Sequence, residues 1–170
     1  NNKKVLEINP NNEIAYHNLA VAYEKLENYN EALDFYKKAI DLNPAYHYSY
    51  GGIGDVLYEL EQYDEAIKNY KKAIDLNPSN EWNFNGLGNS YLELEQFNKA
   101  LENYKKALEI NPNNKYIYFN LALTNEDLEN YNEALNLYKK VIDLDPNYQS
   151  AYEGIGDVLY DLEQYDEAIK

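Results

Sequence analysis

The prolines of this chain stand at Pro10, Pro44, Pro78, Pro112 and Pro146, always 34 residues apart. Five such periods make up the 170 residues. The surroundings recur as well: Lys-Lys-Ala-Ile-Asp-Leu-Asn-Pro occupies 37–44 and 71–78, and Lys-Lys-Ala-Leu-Glu-Ile-Asn-Pro occupies 105–112. A domain with one indivisible core has no reason to keep a strict period. A stack of one supersecondary unit does, because each unit buries its apolar face on the next.

Each period carries two helical patterns. In the first full one, Tyr16, Leu19, Ala20 and Tyr23 recur at three- and four-residue steps, which is one face of a helix. The polar break Glu27-Asn28-Tyr29-Asn30 follows, then a second face of Ala32, Leu33, Tyr36, Ala39 and Ile40. Pro44 stops that helix and biases Asn43 away from helical backbone. Asn43, Asn77 and Asn111 also suit a helix C-terminal cap. The connector after each proline is short, so consecutive helices must pack antiparallel.

These residues resemble the tetratricopeptide repeat, a 34-residue helix–turn–helix with the pattern W-x2-L-G-x2-Y, then A-x3-F, then P. The units read Tyr16, Leu19, Ala20, Tyr23, Ala32, Tyr36, Pro44; then Tyr50, Ile53, Gly54, Leu57, Ala66, Tyr70, Pro78. They continue as Phe84, Leu87, Gly88, Tyr91, Ala100, Tyr104, Pro112; then Tyr118, Leu121, Ala122, Asn125, Ala134, Tyr138, Pro146. Tyr152, Ile155, Gly156, Leu159 and Ala168 begin another. Asn125 departs from the pattern, where an apolar or aromatic residue is expected. The resemblance implies an all-α fold, an α-solenoid of tandem helix pairs in a right-handed superhelix. The expected division is 1–12 as the back of one unit, full units at 13–46, 47–80, 81–114 and 115–148, and a truncated unit at 149–170. Small residues (Gly54, Gly88, Gly156, Ala20, Ala122) are expected where the two helices of a unit approach closest, and aromatics between units.

A longer period overlays the first. Residues 154–170 repeat 52–68 with one change, Glu59 to Asp161, at an offset of 102 residues. Leu-Glu-Asn-Tyr-Asn-Glu-Ala-Leu at 26–33 returns at 128–135 with the same offset. The array therefore reads as a duplication of three units together. Joining Lys170 to Asn1 would continue a helix in register, so the sequence is expected to be a window on a longer array. Head-to-tail self-association of copies, each completing the next one's helix pair, is a structural alternative, and such heterologous contacts run on as a fibre.

Composition excludes several classes of function. Thirty acidic side chains stand against fifteen lysines and no arginine, for a formal charge of −15. No nucleic acid is expected as partner, since phosphate binding needs basic charge. The chain has no cysteine and two histidines, which leaves no thiolate chemistry and no metal site. No apolar run approaches a membrane span, so no membrane is expected as partner, and the cytoplasm is the favoured compartment. Gly51-Gly52-Ile53-Gly54 lies inside a helical pattern with no preceding strand and is not a phosphate loop. No catalytic constellation and no cofactor site is read.

What remains is binding. In arrays that this one resembles, first helices line a concave groove. Matching positions give His17, Asn18, Tyr48, Asp55, Tyr58, Glu59, Trp82, Asn85, Asn89, Tyr116, Phe119, Asn120, Asp127 and Asp157 as groove candidates. Across the whole expected groove surface, Glu24, Asp55, Glu59, Glu93, Glu126, Asp127, Glu153, Asp157 and Asp161 face only Lys25. Carboxylates beside aromatic rings suit a peptide bearing Lys or Arg. Asparagine amides suit an extended backbone, though Gly52, Gly86 and Gly154 interrupt the row begun by Asn18 and resumed by Asn120. Family members that clamp an acidic chaperone tail use groove Lys and Arg, whereas here arginine is absent and Lys25 is the one groove lysine. The expected function is a non-catalytic scaffold binding a basic or polar peptide or protein segment. The alternatives are the self-associating array and a recruiting arm of a larger protein.

Overall fold

The computed structural model describes residues 2–168, and among these every regular element is a helix. In order they are α1 (Asn2–Ile8), α2 (Glu13–Glu24), α3 (Tyr29–Leu42), α4 (His47–Glu59), α5 (Tyr63–Leu76), α6 (Glu81–Glu93), α7 (Phe97–Ile110), α8 (Lys115–Asp127), α9 (Tyr131–Leu144), α10 (Gln149–Asp161) and α11 (Tyr165–Ala168). The join between Lys170 and Asn1 lies outside the described residues. Helices pair as α2–α3, α4–α5, α6–α7 and α8–α9, and each second helix also packs on the next first helix. Successive first helices touch (α2–α4, α4–α6, α6–α8, α8–α10), while among the described residues no two second helices do. A stack closed along one row and splayed along the other curves toward the closed row. The protein is an α-solenoid whose first helices form the concave side.

Two turns alternate, and they use different chemistry. Inside a unit the first helix ends on a left-handed glutamate: Glu27, Glu61, Glu95, Glu129 and Glu163 have φ between 54° and 59°. Glu27 N–H donates to Glu24 C=O at 2.8 Å and Asn28 N–H to Tyr23 C=O at 2.9 Å, the paired bonds of a Schellman cap. Between units the second helix ends on Asn43, Asn77, Asn111 or Asp145. Their backbone is extended, as a residue before proline requires, and none of them is left-handed. Each closes its helix by another device. Its side-chain oxygen accepts the N–H two residues on, at Ala45 (3.1 Å), Ser79 (3.1 Å), Asn113 (3.4 Å) and Asn147 (3.0 Å), carrying the chain around the proline. Asn12, Asn80 and Asn114 then cap the next first helix by accepting the N–H of Ala15, Trp82 and Tyr116. Tyr29, Tyr63, Phe97 and Tyr131 open the second helices as their first residues.

The core is one tyrosine per unit set against glycine and alanine. Tyr36, Tyr70, Tyr104 and Tyr138 are buried on the second helices, with Ala32, Ala66, Ala100 and Ala134 wholly buried beside them. A Cβ on Gly54 would lie 2.7 Å from the Tyr70 ring, and one on Gly88 2.6 Å from the Tyr104 ring, within the same unit. A Cβ on Gly52, Gly86 or Gly154 would meet the tyrosine of the preceding unit at 2.3–2.4 Å. Tyr70 is thus wedged between two units with a glycine on each flanking first helix, while Tyr36, Tyr104 and Tyr138 each meet one such glycine. Every ring also needs an acceptor for its hydroxyl, since an unpaired one would cost about 1–3 kcal/mol. Tyr70 finds Asp55 at 2.7 Å and Tyr104 finds Asn89 at 2.8 Å. In the other two units that position is Val21 or Leu123, and the acceptor sits three residues later: Glu24 at 2.5 Å for Tyr36 and Glu126 at 2.6 Å for Tyr138. Asn125 is equally settled, its amide donating to Leu121 C=O at 2.8 Å.

Candidate functional site

The second residue of each first helix is large and apolar in four units, and three of these form a row. Tyr48, Trp82 and Tyr116 come from α4, α6 and α8 and are 49–52 % exposed. Trp82 and Tyr116 lie 6.4 Å apart between centroids, and Tyr116 meets Tyr148 at 6.1 Å. Phe119 continues the cluster against Tyr148 (5.3 Å) and Tyr138 (5.7 Å). At the other end His17 packs on Tyr36 and Tyr46, both at 5.3 Å, and its Nδ1 lies 3.2 Å from Ser49 Oγ. Burial lowers the His17 pKa, so the ring is neutral near pH 7.

Polar groups gather where α4 and α6 meet. Asp55, Tyr58, Glu59, Trp82, Asn85 and Asn89 line one concave cavity of about 330 Å³, walled by Tyr70 and floored by Gly86. Gly86 keeps this floor low because the Tyr70 ring occupies the space a side chain would need. Tyr58 donates to Glu93 Oε1 at 3.1 Å, tying the cavity's edge to the next unit. Asn120 donates to both Asn85 (3.0 Å) and Asn89 (3.1 Å), so three of the candidate asparagines form one amide cluster across α6 and α8. Asn18 stands apart on α2, exposed. Asp127 and Asp157 are exposed on α8 and α10, away from this cavity's lining.

Several concave-side carboxylates have raised pKa values. Desolvation pushes the Asp55 pKa up to about 6; the Tyr70 hydroxyl counters part of that, and Glu24 and Glu59 add to it by repulsion. Desolvation likewise raises Glu24 and Glu126 above the usual carboxylate range. Among the described residues no cluster of His, Cys, Asp and Glu could hold a metal, and no helix is long and apolar enough to cross a membrane. Sequence reasoning placed Tyr70 in the core alone; it also lines the cavity, its hydroxyl bonded to Asp55. The cue was Asp55 standing where Val21 and Leu123 stand in other units.

Comparison with known proteins fits this geometry. Comparison with curated proteins finds no significant match. Among solved structures the chain is similar to YrrB, described as a TPR protein with an unusual peptide-binding site, at 29% identity and TM-score 0.78, over 98% of this chain and 86% of that one. It also shares its fold with MamA of Desulfovibrio magneticus RS-1 (20% identity, TM-score 0.84, covering 92% and 89%) and with PilF of Pseudomonas aeruginosa (22%, 0.84, covering 92% and 71%). The family model described as TPR repeat matches residues 54–95, 88–128 and 127–162, and that described as tetratricopeptide repeat matches 14–46. Period, helix pairing and family match agree: the chain belongs to the tetratricopeptide repeat family.

Proposed function

We propose that the protein is a non-catalytic scaffold that holds an extended peptide segment carrying Lys or Arg along its concave face. The observation that carries this reading is the joint placement of Asp55, Glu59, Trp82, Asn85 and Asn89 around one cavity of about 330 Å³. The carboxylates take the basic side chain, and the Trp82 ring adds a cation–π contact worth roughly 0.5–2 kcal/mol. The amides of Asn85, Asn89 and Asn120 face the peptide backbone with both donors and acceptors. The row Tyr48, Trp82, Tyr116 supplies flat contact area between those points. The peptide-binding site attributed to YrrB supports a peptide as the ligand class.

Trp82 is the only tryptophan and reports on this cavity. Its fluorescence is followed while lysine-containing and glutamate-containing peptide pools are titrated at low and at high salt. A saturable change with the basic pool alone, weakened by salt, is expected. An equal response to both pools overturns the charge assignment. No response to either moves the reading to the self-associating array, whose mass in solution rises with concentration.

A further inference from the structure

We propose that the outer surface carries a second site of opposite preference: a slot between α5 and α7 that takes an acidic peptide segment bearing one aromatic or aliphatic side chain. The splay of the second helices opens a cavity of about 340 Å³ here, over α6. Ile74, Phe84, Leu87 and Tyr91 make its apolar floor. Lys71, Lys99 and Lys106 stand at its rim on a chain whose net charge is −15.

The lysines are not equivalent. Lys106 is paired with Glu102 at 2.6 Å. Lys71 and Lys99 both lie over the Tyr91 ring, 5.6 and 5.1 Å from its centroid. Neither is within 4.0 Å of a carboxylate among the described residues. Two ammonium groups thus lie over one ring and neither is in an ion pair, Lys99 Nζ donating instead to the neutral Gln96 Oε1 at 2.6 Å. A ligand carboxylate placed there meets both, while its neighbouring apolar side chain fills the floor. Asp75 and Glu102 also line the slot, and the charge of Glu102 is taken up by Lys106.

The slot belongs to this boundary alone. The position of Lys99 is Glu31, Glu65 and Glu133 in the other full units. The position of Tyr91 is Leu57 and Asn125 in the neighbouring units. Elsewhere a glutamate therefore replaces the lysine, and in the two neighbouring units the ring is lost as well. Charge complementarity selects an acidic partner, and the apolar floor selects one that carries a large side chain beside its acid.

The test uses the full chain and a dye-labelled pentapeptide, a central phenylalanine flanked by glutamates, followed by fluorescence anisotropy at about 0.15 M salt. Saturable binding within about 1 mM is expected. Lys99→Glu, which installs the residue of the other units, should weaken it at least tenfold, and Tyr91→Leu several-fold. Both changes copy residues already accommodated in this array, and helicity by circular dichroism checks that each variant is folded. Asp55→Asn in the concave cavity should leave the affinity unchanged, and a lysine-flanked peptide should not compete. Absence of saturable binding overturns the proposal. So does binding that Lys99→Glu leaves intact, displacement by the lysine peptide, or a dimer whose mass depends on Lys99, which would make a second copy the occupant.

Discussion

The boundary between the second and third units and the boundary between the third and fourth use the same repeat positions and present different surfaces. On the concave side of the first, Gly86 leaves a cavity edged by Asp55 and Glu59. On the concave side of the second, Asn120 stands in the place of Gly86 and spans to Asn85 and Asn89. On the outer side the first boundary has Lys99 above Tyr91, and the second has Glu133 and the internally bonded Asn125. The wedge tyrosines Tyr70 and Tyr104 are buried alike at both. Packing in such an array rests on a few positions, which frees the rest to vary. Binding chemistry is therefore found where one unit departs from its copies, not where they agree.

The strongest way to break the comparison is steric. A Cβ on Gly86 would lie 2.4 Å from Tyr70 Cζ, and the ring is held by its bond to Asp55. Gly86→Ala should destabilise the protein by about 1–3 kcal/mol through overpacking. Asn120→Ala, at the same position one unit on, removes two part-buried amide bonds and should cost about 1 kcal/mol. Urea unfolding of both variants measures the contrast. If Asn120→Ala proved the more damaging, the amide bonds of Asn120 would outweigh the close approach of Gly86 to Tyr70.

How much of this was legible beforehand follows from range. The proline period and the three- and four-residue apolar steps are local, so the helix pairs could be read from sequence, while the concave placement of the first helices came from the family resemblance. Trp82, Asn85 and Asn89 lie on one helix and could be grouped by spacing. The reason for Gly52, Gly86 and Gly154 could not, because each answers to a tyrosine in the preceding unit. The outer slot was hidden for the same reason: Lys71, Tyr91 and Lys99 come from three helices.

A second contrast is electrostatic. Tyr70 bonds to Asp55 and Tyr104 to Asn89, so the two units differ by one charge at the same acceptor. The Asp55 pKa is about 6 in the folded chain against an ordinary value of 3.8. A carboxyl raised on folding stabilises the native state below its unfolded pKa, and that stabilisation is lost as pH rises through about 6. Asp55→Asn keeps the acceptor and removes the charge. It should gain about 1 kcal/mol above pH 7, a value reduced for solvent screening, and nothing near pH 4. Thermal melts across that range test the sign. A gain independent of pH would show that charge is not what separates the two units here.

The last contrast is one that should vanish. Glu95 and Glu129 close the first helices of the third and fourth units at φ 54° and 57°. Left-handed backbone disfavours any residue with a Cβ, and glycine adopts it freely. Glycine also carries more entropy in the unfolded chain, which offsets part of the gain. Glu95→Gly and Glu129→Gly should each stabilise by about 0.5–1 kcal/mol, and by equal amounts, since the two turns share their Schellman bonds to Tyr91 C=O and Asn125 C=O at 2.8 Å. Glu95 and Glu129 also border acidic stretches, so removing either charge adds a small gain that salt suppresses. Melting the two variants at low and high salt separates the backbone part, which persists, from the charge part, which does not. Unequal persistent gains would mean that the units differ in their turns as well as in their faces.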